Sequence, residues 1–162
     1  MANARTVIYW DTSVFLAYLS NDAAHMPTLD ALLEEITGSA GKTIIVTSVV
    51  SKVEVAYTQE EAVKRTMQSE VEAAIDALWT DSSVFELVEL HDEIALSART
   101  LMRSAKSQGH KLKPMDAIHL ATAKWIGANA LHTYDLADFK KFEPMIGVSI
   151  IEPFVAQPKL LP

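Results

Sequence analysis

The stretch "KPMDAIHLATAKW", residues 113–125, places an acid at the start of an apolar helix. Pro114 suits the first helical position, where its missing N–H would have had no partner anyway. Ala117, Ile118, Leu120, Ala121, Ala123 and Trp125 leave almost no polar face, so the pattern predicts a buried helix. Asp116 falls in its first turn. The helix dipole stabilises a carboxylate there by about 0.3–1 kcal/mol. That term explains why the acid is tolerated, not why further acids should gather around it.

Outward from this helix, short apolar runs alternate with amphipathic patterns. The strand candidates are "VIYW" (7–10), "TIIVT" (43–47), "VFELVEL" (84–90), "ALHT" (130–133) and "VSII" (148–151). Most are continuously apolar, as buried parallel strands are. "VFELVEL" alternates in part and reads as a strand nearer an edge. Helices are expected over Val14–Leu19 and over Pro27–Ile36, with Gly38 as a stop. "TQEE" (58–61) resembles a capping box, followed by one apolar face of Val63, Met67, Val71, Ala74 and Leu78. Ile94, Ala98, Leu101, Met102 and Ala105 form another face, ended by Gly109. "TSVVSKVEVAY" (47–57) is ambiguous: its valines favour a strand, and Ser48 as a cap favours a helix. We read it as a helix that carries Glu54 two turns in. The resulting order, βααβααβααβαβ, implies an α/β domain with a mostly parallel sheet.

At 162 residues the chain fits one domain, 1–162, with its core at about 6–154 and a proline-rich tail lying along the surface. A 49% hydrophobic content is enough for a core and too much for disorder. There is no cysteine, which excludes disulfides, thiolate metal sites and cysteine nucleophiles, and fits a cytoplasmic location. No signal peptide is visible, and no apolar run approaches the roughly 18 residues of a spanning helix.

The formal net charge is −7, which by itself argues against a polyanionic partner. Its distribution argues otherwise. Between Glu54 and Glu93 eleven acids face two bases, Lys64 and Arg65. Between Ile94 and Lys141 eight bases face three acids, Asp116, Asp135 and Asp138. Arg99, Arg103 and Lys106 recur at helical spacing as an outward basic stripe.

The few acids of the basic half belong with two others. Ligands of open parallel sheets collect beyond the carboxyl ends of the strands. Asp11 follows "VIYW", Asp135 and Asp138 follow "ALHT", Asp116 opens the helix leading into "ALHT", and Glu54 follows "TIIVT". Each has an ordinary explanation: a cap for Asp11, a dipole contact for Asp116, solvent exposure for Glu54, turn chemistry for Asp135 and Asp138. Together they repel one another and call for cations or protons. Oxygen ligands without cysteine suit Mg²⁺ or Mn²⁺, ions able to activate water against a phosphate.

These stretches resemble the PIN domain, a metal-dependent nuclease family that includes VapC-type toxins. "VIYWDTSVFLAYL" is similar to its first motif, "SVVSKVEVAY" to its second, "KLKPMDAIHLATA" most specifically to its third, and "ALHTYDLADFKKF" to its fourth. "GVSIIEPF" resembles its closing strand. The resemblance implies a three-layer α/β/α fold with a five-stranded sheet. It implies that Asp11, Glu54, Asp116 and Asp135 bind metal, with Asp138 as rival or supplement to Asp135. Ser13 and Thr133 match small polar positions that orient a water or a carboxylate. The family further implies Mg²⁺- or Mn²⁺-dependent endoribonuclease activity, frequent homodimers and, in the toxin branch, an antitoxin that blocks the site. The extra length around 59–81 and the net acidity depart from compact toxins.

Arg99, Arg103, Lys111, Lys113 and Lys124 are the bases expected to position an RNA backbone, which confers affinity but little sequence choice. His119 lies one turn after Asp116; packing is the commoner fate of such a residue. Trp10 and Trp125 could stack on bases, but their places beside apolar cores favour packing. A haloacid-dehalogenase-type phosphatase wants a second Asp at position 13, where Ser13 stands. The remaining alternatives are a catalytically inactive PIN-like module that binds RNA or protein, and a PIN nuclease outside toxin–antitoxin systems.

Overall fold

The computed structural model describes residues 4–80 and 83–155. At its centre is a five-stranded sheet in which every pairing is parallel. β1 (Thr6–Trp10) lies in the middle between β2 (Thr43–Ser48) and β4 (Ala130–His132). β3 (Phe85–Val88) and β5 (Ser149–Ile151) form the edges, so the order is β3-β2-β1-β4-β5. The partly alternating 84–90 segment is indeed an edge strand.

Helices cover both faces, which is why the central strands are apolar throughout. On one side α1 (Thr12–Leu19), α2 (Met26–Gly38) and α5 (Ser69–Thr80) bury Val14, Phe15, Leu29, Leu32, Ile36 and Leu78 against the sheet. On the other, α6 (Asp92–Ser107) and α7 (Pro114–Trp125) pack Ile94, Ala98, Leu101 and Ala105 with Ala117, Leu120 and Ala121. Strand alternation divides neighbouring residues between the two cores: Tyr9 joins the α6–α7 side and Trp10 the α1–α2 side. The result is the expected three-layer α/β/α arrangement. Among the described residues no helix is long and apolar enough to cross a membrane.

Two expectations need correction. The chain after β2 is not a long helix. It makes one turn, α3 (Ser51–Glu54), and leaves helical geometry at Val55, whose ψ is 59°. Glu54 is therefore the last residue of a single turn, not a residue two turns in. Tertiary hydrogen bonds set this geometry: the Thr47 hydroxyl donates to the Trp10 carbonyl at 2.7 Å and lies 2.7 Å from the Ser51 hydroxyl. The second correction concerns the helix expected from Thr58 through Leu78. Its capping box exists, with the Glu61 N–H donating to Thr58 and Glu61 accepting from the Thr58 N–H. But α4 (Gln59–Lys64) ends at Arg65, which adopts φ +54°, and α5 starts afresh at Ser69. The proposed apolar face is thereby broken, leaving Val63 76% and Met67 61% exposed. Trp10 packs in the core as expected, whereas Trp125 is half exposed, with its ring edge against His91 and its indole N–H on Glu93. Asp81 and the tail from 156 onward lie outside the described residues.

α7 is the element that most depends on burial, since Leu120 and its alanine neighbours have no exposed surface. Leu120→Ala is expected to cost about 2–5 kcal/mol of folding free energy, read as a lower midpoint in urea unfolding at unchanged slope.

Candidate active site

The chain builds the β2 side of the sheet before it returns to the β4 side of β1. The β1–β4 boundary is therefore the switch point, where connections diverge and leave a crevice beyond the strand ends. Asp11 follows β1 directly, and Thr133 follows β4 directly. The pairing of Trp10 with His132 sets them side by side.

Asp11 is 3% exposed. Its Oδ1 accepts from the Ser13 N–H at 3.1 Å and the Ser13 hydroxyl at 2.6 Å. Its Oδ2 accepts from the Thr133 hydroxyl at 2.7 Å, across the switch point. Asp11 is thus the N-cap of α1, the ordinary reading of such an acid, and capping uses only one of its oxygens. Oδ2 keeps an unused lone pair. The same hydroxyls order the other strand end: Thr133 accepts from the Asp135 N–H at 2.9 Å and Ser13 from the Tyr134 N–H at 2.9 Å. Asp11, Ser13, Thr133 and Asp135 therefore form one bonded knot.

Glu54 belongs to a second knot. Its Oε2 accepts from the Thr12 hydroxyl at 2.7 Å and meets His119 Nε2 at 2.5 Å. His119 is buried, and its Nδ1 lies 2.6 Å from the Tyr9 hydroxyl. Asp116 and Asp138 occupy a third place, a depression of about 150 Å³ that they share with Lys111, Lys113 and Lys141. The two acids after β4 are thus divided: Asp135 stands on the Asp11 side and Asp138 on the Asp116 side. A larger cleft of about 540 Å³ is lined by Ser13, Glu54 and Asp135, by Asp22 and His25, and by Leu16, Tyr57, Ala62 and Tyr134.

The electrostatics follow from burial and crowding. Burial, and to a lesser degree the Asp135 charge, raises Asp11 to about 6 despite its hydrogen bonds. Burial also raises Asp116, with Glu54 and Asp138 adding repulsion and Lys113 opposing it. Burial pushes Glu54 upward too, but the hydrogen bond from His119, the attraction of that ring when it is charged, and the Thr12 hydrogen bond together outweigh it and hold the carboxyl below its ordinary value.

The donor set suits a hard divalent cation. It is all oxygen, its members interact unfavourably, and none of Asp11, Asp116, Asp135 and Asp138 has a Lys or Arg partner within ion-pair distance among the described residues. Among those residues no three of the His, Asp and Glu groups are placed to hold one ion together. Sharing an ion therefore requires rotation, which is available to half-buried Asp116 and exposed Asp135 and Asp138 but not to Asp11.

The basic residues separate similarly. Arg99, Arg103 and Lys106 flank a shallow depression on α6; Lys106 and Lys111 flank the next; Lys111 and Lys113 reach the acids. Lys124 lies at the far end of α7 from Asp116, about 12 Å along the axis, near the Met145 carbonyl. Sequence reasoning passed over Thr12 and Tyr9; it expected packing for His119, which is buried and also bonded to Glu54. Thr12 had one signal, its place between Asp11 and Ser13; Tyr9 had none, because a strand residue gives no hint of which helix it will meet.

An acid-bearing crevice at the switch point of a parallel α/β/α sheet defines the class of protein. The PIN domain family matches residues 8–143, and the chain belongs to that family. PIN domains are nucleases. Solved structures agree in fold. VapBC-1 from nontypeable Haemophilus influenzae is 16% identical, with a TM-score of 0.64 over 91% of this chain and 98% of that one. FitAcB from Neisseria gonorrhoeae is 18% identical, with a TM-score of 0.62 over 90% and 97%. VapBC-5 from Mycobacterium tuberculosis, a member of the VapBC family of toxin-antitoxin systems, is 19% identical, with a TM-score of 0.58 over 91% and 98%. No curated protein matches the chain significantly in sequence.

The raised Asp11 has a consequence for stability. Its folded value, about 6, exceeds the ordinary 3.8, so the folded state favours the protonated form. Its stabilising contribution is complete below about pH 4 and is lost as pH rises through 6, a change of about 3 kcal/mol at 1.36 kcal/mol per pKa unit. Asp11→Asn removes the charge but forfeits one acceptor. Without divalent ions it is expected to melt several degrees above wild type at pH 7.5 and to lose that advantage at pH 4, as read by thermal unfolding at both pH values.

Proposed function

We propose that this chain is a Mg²⁺- or Mn²⁺-dependent endoribonuclease acting as the toxin of a cytoplasmic toxin–antitoxin pair. The observation that carries the reading is the placement of four acids, Asp11, Glu54, Asp116 and Asp135, beyond the carboxyl end of the sheet, with no Lys or Arg in ion-pair distance of any of them among the described residues. A bound divalent ion supplies activated water and charge neutralisation at phosphorus. The protein supplies the geometry. Ser13 and Thr133 aim Asp11, Thr12 and His119 aim Glu54, and the more exposed Asp116, Asp135 and Asp138 would complete the oxygen set. Attack of water at phosphorus with departure of the 3′-oxygen leaves 5′-phosphate and 3′-hydroxyl ends.

Substrate enters along the linked depressions of Arg99, Arg103, Lys106, Lys111 and Lys113, which contact phosphates rather than bases. The cleft beside Glu54 and Asp135, lined by both polar and apolar side chains, is where an antitoxin segment would close the site. That partner is supported by the likeness to VapBC complexes. Trp125, half exposed at the end of α7, offers apolar surface for the homodimer.

Asp116→Asn and Asp11→Asn are each expected to reduce RNA cleavage at least about 100-fold while the circular-dichroism spectrum is unchanged; an inactive binding module would show no cleavage to lose. Cleavage by wild type that persists in excess EDTA would overturn the proposal. Charge reversal of Arg99, Arg103 and Lys106 together should raise KM about ten-fold, with kcat little changed and a shallower salt dependence. Lys124→Glu should change KM far less, as steady-state cleavage of a fluorescent RNA would show.

A further inference from the structure

Behind Glu54 a line of polar atoms runs into the core. The Ser48 N–H, a group that can only donate, bonds the Tyr9 hydroxyl oxygen at 3.1 Å. Tyr9 is fully buried, and burial drives its pKa upward, so it keeps its proton. A buried O–H needs an acceptor. His119 Nδ1, 2.6 Å away, is the acceptor in bonding geometry; the Thr47 hydroxyl also approaches the phenol, but it donates to the Trp10 carbonyl and lies against Ser51. Nδ1 is then unprotonated, and the ring proton sits on Nε2, 2.5 Å from Glu54 Oε2. The Thr12 hydroxyl donates to the same oxygen at 2.7 Å. Oε2 is thereby saturated. Oε1 has no protein donor among the described residues, and Glu54 lines the cleft.

We propose that Tyr9 and His119 form a buried positioning relay that fixes the imidazole as its Nε2–H tautomer and holds Glu54 with Oε2 bonded to the protein and Oε1 free for the cation. His119 acts through Glu54 and is a positioning residue, not a catalytic one. The relay rests on the proposed metal-dependent reading, and it explains a local arrangement that packing alone does not require. A leucine would fill the same space on the buried face of α7. Groups that orient metal-ligating side chains typically affect metal affinity about 10–100-fold.

The test has two parts. ¹⁵N NMR of the imidazole nitrogens in the metal-free wild-type protein should show His119 protonated at Nε2 and bare at Nδ1. Tyr9→Phe should give a mixture of tautomers. Titration with Mn²⁺, followed by the paramagnetic resonance of the free ion, should then show His119→Leu weakened about ten-fold or more. His119→Gln, whose amide N–H replaces Nε2–H, should stay within about three-fold of wild type. An Nδ1–H or doubly protonated ring in the wild type overturns the relay, as does wild-type Mn²⁺ affinity in folded His119→Leu. If His119→Leu fails to fold, an affinity loss in His119→Gln as large as ten-fold overturns it. Wild type that binds no Mn²⁺ at all would instead overturn the metal-dependent reading, and the tautomer assignment would stand separately on the NMR result.

Discussion

The site depends on one buried interaction, the carboxylate of Asp11 bonded to Ser13 on its own helix and to Thr133 across the sheet. A carboxylate at 3% exposure is costly to ionise, and three donors only partly offset that cost. Its persistence is possible because the parallel register places the end of β4 beside the end of β1. The same hydroxyls then direct the backbone of Tyr134 and Asp135. A fold with those two strands apart would strand the acid without donors and leave the Asp135 turn unanchored.

The acids differ in freedom, and the difference follows from what surrounds them. Asp11 sits between strand ends and is fully engaged. Glu54 is engaged at one oxygen only. Asp116, Asp135 and Asp138 lie on helix starts and a short turn at the rim, where solvent leaves their rotamers open. The bonded members define a position, and the unbonded, more exposed ones have room to turn toward what occupies it. Such a division suits a site whose coordination must change during a reaction more than one built as a closed cage.

The legibility of the sequence varied with how local the causes were. α7 was readable because its proline start, apolar composition and acid all lie within thirteen residues. Asp11 was readable because strand end and cap coincide. The segment around Glu54 was not, because its shape comes from Thr47 bonding to the Trp10 carbonyl and to Ser51, contacts that local periodicity does not record. The break at Arg65 was hidden too: a left-handed residue other than glycine leaves no compositional mark. Tyr9 was invisible for a related reason. Its strand predicts burial, but its partner His119 lies 110 residues away.

Charge sorting reconciles a net −7 chain with a polyanionic substrate. Screening limits exposed charges to interactions over about 8–10 Å, so what a phosphate meets is the nearby surface rather than the total. Near the acids that surface carries Lys111, Lys113 and Lys141, and it continues to Lys106, Arg103 and Arg99. Surplus negative charge clusters at exposed Glu86, Glu89, Asp92 and Glu93, ahead of the basic stripe of α6, and in the α4–α5 segment, where Glu60, Glu70 and Glu72 are exposed. On the proposed reading, that segment is where a basic partner would be drawn, and the α6–α7 track is where RNA would be. Keeping these surfaces on different helices lets one small chain attract partners of opposite sign without either field cancelling the other.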